Sequence, residues 1–226
     1  MSDARIGLIG GLSWESTASY YRYFNELFVG PNEWSQPQLL IDSVDFGAIV
    51  PLQREGDWEA TGEILAASAR RLERAGATVL GIGANTMHVN FDHVQRCVAI
   101  PVVDVRDAVA KESLGHGHQS IALLGTKYLI EGDFYSDRLH DLGVSTVKPT
   151  EDQTERLQFI IFSELTRGVV TKGSRAFLRE VASSCLDRGA SVVGLCCTEF
   201  GMLMSEDETF PVIDSTKAHV RALLAA

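Results

Sequence analysis

Two kinds of segment alternate along the chain. Short apolar runs rich in β-branched residues, typical of strands buried in a parallel sheet, are separated by longer segments with helical periodicity. The predicted strands are residues 6–9, 39–44, 79–82, 102–103, 121–124, 144–147, 192–196 and 212–213. The predicted helices are residues 16–28, 58–75, 154–167 and 174–188. This alternation indicates βαβ units, and therefore an α/β fold with parallel sheets.

The second half of the chain repeats the first. Residues 74–86 match residues 187–199 at an offset of 113 positions, and Gly81 pairs with Gly194. Residues 6–10 match 121–125, and residues 100–104 match 210–214, at offsets of 115 and 110. Three matches in one order at nearly one offset predict two pseudo-symmetric, Rossmann-like lobes. We place lobe 1 at residues 1–103 plus 210–226 and lobe 2 at residues 104–209.

Composition narrows the possible functions. The 226 residues are 45% hydrophobic, and 20 lysines and arginines stand against 30 aspartates and glutamates, so the formal net charge is −10. This balance has the wrong sign for a surface that binds nucleic acid or an anionic membrane. The sequence has no apolar run of membrane-spanning length and no signal-peptide pattern. We therefore expect small-molecule chemistry.

The chain contains four cysteines, Cys97, Cys185, Cys196 and Cys197. They have neither CxxC nor zinc-binding spacing, and two adjacent cysteines make a poor bridge. These features predict reduced thiols in a cytoplasmic protein without a metal site. His116 and His118 have no third ligand near them in sequence. Residues 7–11 do not form the GxGxxG fingerprint, and no phosphate-binding loop or PLP-type lysine motif is present, so we expect no cofactor.

Strand-end loops are the predicted ligand site, because ligands of open α/β sheets bind beyond the carboxyl ends of the strands. These loops are residues 10–13, 84–86, 125–126 and 197–199. If the lobes face one another, all four loops meet at one interlobe cleft, with Ala84 and Cys197 on opposite walls. Each loop alone is better explained as a tight strand-to-helix turn. Four loops in matched pairs favour a site.

Cys197 is the strongest candidate for catalysis. It follows a buried strand and precedes a predicted helix start, where backbone N–H groups and the helix dipole favour a thiolate. That position suits a nucleophile or a base. A buried structural cysteine is the alternative, and it fits Cys185, Cys97 and Cys196 better.

Several polar residues are candidates for substrate binding. Asn85, Thr86 and Thr198 offer neutral donors for a small carboxylate, or act as helix N-caps. Gln53 and Arg54 are expected in a loop after the second strand, where they either hold a side-chain carboxylate or are simply solvated. The strand-end loops add Gly11, Leu12, Thr126 and Glu199. His88 either tunes the site or is a hydrogen-bonded helix histidine, the commoner case.

The chain resembles the aspartate/glutamate racemase family over nearly its whole length. The motifs that carry the resemblance are residues 10–17 (GGLSWEST), 43–46 (SVDF), 85–88 (NTMH), 125–126 (GT), 131–135 (EGDFY), 197–199 (CTE) and 214–216 (DST). The resemblance implies two α/β lobes, a cleft between them, a homodimer and catalysis without pyridoxal phosphate. It also implies two facing residues, usually cysteines, that remove and return the Cα proton of an acidic amino acid.

The sequence departs from the family pattern at one catalytic position. Cys197 matches the second cysteine, but Ala84 stands where the first belongs, and its methyl group has no proton to give. Leu12 replaces a usual methionine, and residues 129–130 are Leu-Ile where Thr-Met is usual. The resemblance thus implies an isomerase that interconverts L- and D-aspartate or glutamate, impaired by Ala84. The alternatives are a single-cysteine decarboxylase or isomerase of the same superfamily, and an amino-acid-binding protein without turnover.

Overall fold

The computed structural model describes residues 4–206 and 208–226. Contacts divide the chain into two compact units: unit 1 comprises Met1–Asp104 and His219–Ala226, and unit 2 comprises Val105–Ala218. The domain limits expected from the repeat placed residue 104 in lobe 2, whereas it lies in unit 1. They also placed residues 210–218 in lobe 1. Those residues belong to unit 2 because the strand within them pairs with a strand of that unit.

Unit 1 is built on a parallel sheet of four strands in the order β2-β1-β3-β4. Its strands are β1 (Arg5–Gly10), β2 (Gln38–Ser43), β3 (Val79–Ile82) and β4 (Val102–Val103). Its helices are α1 (Trp14–Leu27), α2 (Phe46–Glu55), α3 (Trp58–Arg74), a 3-10 helix (Thr86–Asn90) and α4 (Phe91–Arg96). The C-terminal part of α10 (Ser215–Leu224) also belongs to unit 1.

Unit 2 has a second parallel sheet in the order β6-β5-β7-β8. Its strands are β5 (Ser120–Leu124), β6 (Ser145–Val147), β7 (Val192–Leu195) and β8 (Val212–Asp214). Its helices are α5 (Val105–Gly115), α6 (Lys127–Glu131), α7 (Asp133–Asp141), α8 (Glu151–Ser163) and α9 (Lys172–Asp187), with 3-10 helices at Leu165–Arg167 and Thr198–Met202.

The sheets confirm the α/β fold and the internal repeat. Both sheets have the same strand order, and their central registers match: Leu8 lies opposite Gly81 in unit 1, and Leu123 lies opposite Gly194 in unit 2. All eight predicted strands are present, with bounds shifted by one residue at most. Buried parallel strands are apolar on both faces, which is why their positions can be recognised in the sequence.

Each unit buries its own apolar residues between sheet and helices. In unit 1, α3 begins where the Asp57 carboxylate accepts the N–H of Ala60 at 2.9 Å, and it buries Leu65, Ala69 and Leu72 against the sheet. Within residues 4–206 and 208–226, no helix combines the length and apolar character needed to cross a membrane.

Candidate active site

Ala84 lies two residues beyond the end of β3. The N–H of Gly83 donates to the carbonyl of Ile9 at 2.9 Å, and the Ser16 hydroxyl donates to the carbonyl of Gly83 at 2.6 Å. The N–H of Ala84 donates to the carbonyl of Ile82 at 2.8 Å. The ends of β1 and β3 and the start of α1 are therefore hydrogen-bonded together, and they hold position 84 at the carboxyl edge of the sheet.

Gly11 and Leu12 form the turn after β1. Gly11 has a φ of 74°, and a Cβ at this position would overlap the carbonyl oxygen of Val44, so only glycine fits. Leu12 is buried in the same apolar cluster as Ala84 and Met87. The predicted strand-end loops of unit 1 thus lie in one small region.

Gln53 and Arg54 are not in a loop, as the sequence analysis expected, but in the last turn of α2. The helix forms because the Asp45 carboxylate accepts the N–H of Gly47 at 2.8 Å at its start, and Gly56, with a φ of 73°, ends it. The helix separates the two side chains, since Gln53 is buried and Arg54 is exposed.

The Gln53 side chain reaches the segment that follows Ala84. Its Nε2 donates to the sulfur of Met87 at 3.1 Å, while its buried Oε1 has no hydrogen-bond partner among the described residues. A thioether is a weak acceptor, so the Gln53 amide retains most of its hydrogen-bonding capacity. Gln53 is thus a buried amide whose oxygen has no partner among the described residues.

Asn85 and Thr86 are both buried at the start of the 3-10 helix Thr86–Asn90. Asn85 makes no side-chain capping bond there, so the capping alternative does not apply to it. His88 is buried in this 3-10 helix, and its Nδ1 lies 2.8 Å from the carbonyl oxygen of Ala84. It is hydrogen-bonded within the fold, as expected for a helix histidine.

Cys197 occupies the matching place in unit 2, two residues beyond β7. The N–H of Cys196 donates to the carbonyl of Leu124 at 2.7 Å, which ties this segment to β5. The Cys197 thiol donates to Oε2 of Glu199 at 3.2 Å, and the Thr198 hydroxyl donates to the same oxygen at 2.6 Å. All three side chains are buried. Cys197, Glu199 and Thr198 thus form a thiol–carboxylate–hydroxyl cluster. Thr198 contacts Glu199 and does not cap a helix.

The electrostatics of this cluster correct the expectation of a thiolate. Burial raises the pKa of the Cys197 thiol well above its ordinary value, and the negative charge of Glu199 raises it further. The following helix is a 3-10 helix of five residues, with too few aligned peptides to offset these effects. In the chain by itself Cys197 is therefore a neutral thiol that donates a hydrogen bond.

Two of the other cysteines, Cys185 and Cys196, are fully buried. All four cysteines are free, as the sequence predicted. Burial raises the pKa of Cys196 to about 12, and it also raises the pKa of Cys185, which lies on the buried face of α9. In the part of the chain that is described, no three or more His, Cys, Asp or Glu side chains are grouped to hold a metal ion.

Thr126 serves as a helix cap. Its hydroxyl oxygen accepts the N–H of Leu129 at 3.3 Å, at the start of α6.

The sequence analysis missed two groups that support these loops. Arg175 donates to the carbonyl of Met202 at 3.0 Å, and also to that of Leu203, at the end of the 3-10 helix that follows Cys197. In unit 1, His219 and Tyr20 form a buried hydrogen bond of 2.7 Å. None of these side chains belongs to a recognisable local motif, because their partners are distant in sequence.

Comparisons with known proteins agree on one family. The model of the Asp/Glu/Hydantoin racemase family matches residues 9–223. A proposed Asp/Glu racemase from Yersinia pestis has a structure 34% identical in sequence, with a TM-score of 0.86 and coverage of 98% of both chains. An aspartate racemase homologue from Pyrococcus horikoshii OT3 is 37% identical, with a TM-score of 0.83 and coverage of 98% of this chain and 97% of that one.

A curated relative extends this result. The broad specificity amino-acid racemase RacX of Bacillus subtilis is 20% identical over 218 residues, which cover 93% of this chain and 92% of RacX. The family model spans almost the whole sequence, and both solved structures superpose over nearly the full length. The chain belongs to the Asp/Glu/hydantoin racemase family.

Proposed function

We propose that this chain is an amino-acid racemase that exchanges the Cα proton of aspartate or glutamate without a cofactor. The observation that carries the proposal is the pair formed by the Cys197 thiol and the Glu199 carboxylate, 3.2 Å apart at the end of β7. Removal of a Cα proton needs a base within hydrogen-bond reach of Cα. Family membership supplies the reaction class, and the Cys197–Glu199 pair supplies a group able to perform it.

Cys197 must first lose its own proton. In the proposed mechanism the thiol proton passes to Glu199, which gives a thiolate and a neutral carboxylic acid. The ammonium group of the substrate favours this transfer, because a positive charge near the thiolate offsets the burial that raises the pKa of Cys197. The thiolate then takes the Cα proton, which leaves a carbanion-like species and a neutral thiol.

Neutral donors are proposed to bind the substrate carboxylates. Asn85 and Thr86, in unit 1, are buried side chains at the end of β3. In addition, the Gln53 amide has an unpartnered buried oxygen that suits an N–H donor such as the substrate ammonium. Donors aimed at a carboxylate stabilise the charge that develops on it as the Cα proton leaves.

Position 84 is the proposed place of the second acid/base. Inversion requires a proton to be delivered to the face of Cα opposite the one that lost it, and the methyl group of Ala84 has none. We therefore expect exchange of the Cα proton to outrun inversion. A general acid contributes about a hundred- to ten-thousand-fold to a rate, so Ala84→Cys should raise inversion selectively.

The test follows L-aspartate and L-glutamate in deuterated water. Proton NMR measures loss of the Cα–H signal, and chiral chromatography measures the opposite enantiomer. Cys197→Ala should abolish exchange, whereas Cys185→Ala, the matched buried thiol on α9, should change only stability, by roughly 1 kcal/mol. Exchange that persists in Cys197→Ala would remove Cys197 from the mechanism.

Two other outcomes distinguish the alternatives. If the chain binds these amino acids but neither it nor Ala84→Cys exchanges or inverts them, the chain is a binding protein. If it instead decarboxylates malonate-type acids in a Cys197-dependent reaction, the single-cysteine alternative is correct.

A further inference from the structure

A line of buried polar groups in unit 1 leads to the backbone of Ala84. The Tyr20 hydroxyl on α1 lies 2.7 Å from Nδ1 of His219 on α10, and Nε2 of His219 lies 3.0 Å from the carbonyl oxygen of Val103. The His219 ring packs edge to face against the His88 ring, with centroids 5.6 Å apart. His88 in turn contacts the Ala84 carbonyl through Nδ1, at 2.8 Å.

The protonation of both rings follows from their partners. A carbonyl oxygen only accepts hydrogen bonds, so Nε2 of His219 and Nδ1 of His88 must each carry a proton. Nδ1 of His219 then accepts the hydrogen bond of the Tyr20 hydroxyl. Each imidazole is thereby held in one tautomer and one ring orientation.

This arrangement sets the orientation of the peptide group between Ala84 and Asn85. The Ala84 N–H is bound to Ile82, and its C=O is bound to His88, so both backbone polar groups of Ala84 have partners. The described peptides are all trans. In a planar trans peptide the N–H points opposite to the C=O, so His88 also sets the direction of the Asn85 N–H.

The matching turn of unit 2, which follows β7, has no side chain in the place of His88. Gly201 stands 113 positions after His88, where the repeat would place its counterpart. There the carbonyl of Cys197 accepts the backbone N–H of Phe200 at 3.0 Å instead. The fold can therefore make this turn from backbone bonds alone, and the histidine in unit 1 is an addition to it.

We propose that His88, held by His219 and Tyr20, is a positioning residue that orients the Ala84–Asn85 peptide for the racemase reaction. The proposal rests on the proposed function, in which position 84 and Asn85 act on the substrate. None of the three side chains is assigned contact with the substrate. They act through the peptide, and displacement of reacting groups by about 1 Å can lower a rate about a hundredfold.

Two variants of His88 separate positioning from packing. His88→Leu retains most of the side-chain volume but removes the donor to the Ala84 carbonyl. His88→Asn loses the ring but keeps an N–H donor on the same Cγ. We expect kcat/KM for Cα proton exchange to fall at least tenfold in His88→Leu and to stay within threefold of the parent chain in His88→Asn, although both variants lose thermal stability. An equal loss of activity in the two variants would overturn the proposal.

Tyr20→Phe removes the hydroxyl that bonds to Nδ1 of His219, and it is compared with a variant that loses a buried hydroxyl elsewhere. Thr61→Val is the control. The Thr61 hydroxyl accepts a hydrogen bond of 2.9 Å from Nδ2 of Asn90, which lies in the same 3-10 helix as His88, but it makes no bond to Ala84. We expect a fall of at least threefold in kcat/KM for Tyr20→Phe and no change for Thr61→Val. The same effect in both would exclude the Tyr20–His219 part of the proposal.

A readout independent of turnover distinguishes failure of this proposal from failure of the proposed function. Long-range proton–nitrogen NMR should show His88 protonated on Nδ1 and His219 protonated on Nε2. Tyr20→Phe should shift the signals of both rings. The opposite tautomer on either ring would refute the positioning role even in an active racemase. Correct tautomers in a chain without Cα exchange would refute the proposed function alone.

Discussion

The buried His219 makes the stability of unit 1 depend on pH in a calculable way. Burial, followed by the neighbouring His88, lowers the pKa of His219 from 6.5 to about 3, and the partial charge of the Val103 carbonyl and Asp104 oppose this only in part. The unfolded chain binds a proton at His219 below pH 6.5, and the folded chain does not. The free energy of unfolding therefore falls as the pH falls below 6.5, by about 1.4 kcal/mol per pH unit.

At pH 5 the expected loss from this one residue is about 2 kcal/mol. That figure hardly depends on the folded pKa, since any value below about 4 leaves the folded side chain neutral at pH 5. His219→Gln removes the titration while it keeps an N–H donor for the Val103 carbonyl. Its free energy of unfolding should therefore fall less between pH 7.5 and pH 5 than that of the parent chain, by about 2 kcal/mol.

Tryptophan fluorescence in denaturant is the appropriate assay. The three tryptophans of the chain, Trp14, Trp34 and Trp58, all lie in unit 1, so their signal reports the unit that contains His219. Other titrating groups contribute to both proteins alike and cancel in the comparison. If the parent and His219→Gln lost the same free energy within about 0.5 kcal/mol, the inference of a neutral buried His219 would be wrong.

Two further predictions concern the strand-end loops. In Glu199→Gln, alkylation of Cys197 by iodoacetamide at pH 7.5 should be at least tenfold faster, because a unit charge about 4 Å away contributes about 4 kcal/mol against the thiolate at an effective dielectric constant of 20. An unchanged rate, followed by mass spectrometry, would show that burial alone controls the thiol. Gly11→Ala should lower the free energy of unfolding by roughly 2–3 kcal/mol because of its positive φ and the overlap with the Val44 carbonyl, whereas Gly115→Ala, whose Cβ meets no atom within 4 Å, should change it by less than about 0.5 kcal/mol. Equal denaturation midpoints for the two alanine variants would contradict this account of Gly11.

The helices were harder to predict than the strands. Gln53 and Arg54 were expected in a loop, but they lie in helix α2, although Pro51 lies inside this helix and proline disfavours a helix interior. The helix forms nonetheless, since Asp45 caps its start and burial of Ile49 and Gln53 stabilises its inner face. The short helices α4, α6 and α7 span nine residues or fewer, too few for a clear periodic signal.

In the candidate site, too, some features could be predicted from the sequence and others could not. The strand-end positions of Ala84 and Cys197 could be predicted, because a strand must end where its apolar run ends and the repeat relates the two ends. The state of the Cys197 thiol could not, since it depends on burial and on a carboxylate oxygen 3.2 Å away. The partners of His88 and His219 were equally hidden, because they lie on separate elements.

The sequence by itself determined the α/β class, the eight strands, the internal repeat and the two matched strand ends. These follow from local patterns of apolar residues and from comparison of the chain with itself. Only the tertiary structure decided the helical setting of Gln53, the neutral state of Cys197 and the line from Tyr20 to Ala84. Each of these depends on distances of about 3 Å between atoms or on the removal of water from a side chain, and both arise only when segments remote in sequence pack together.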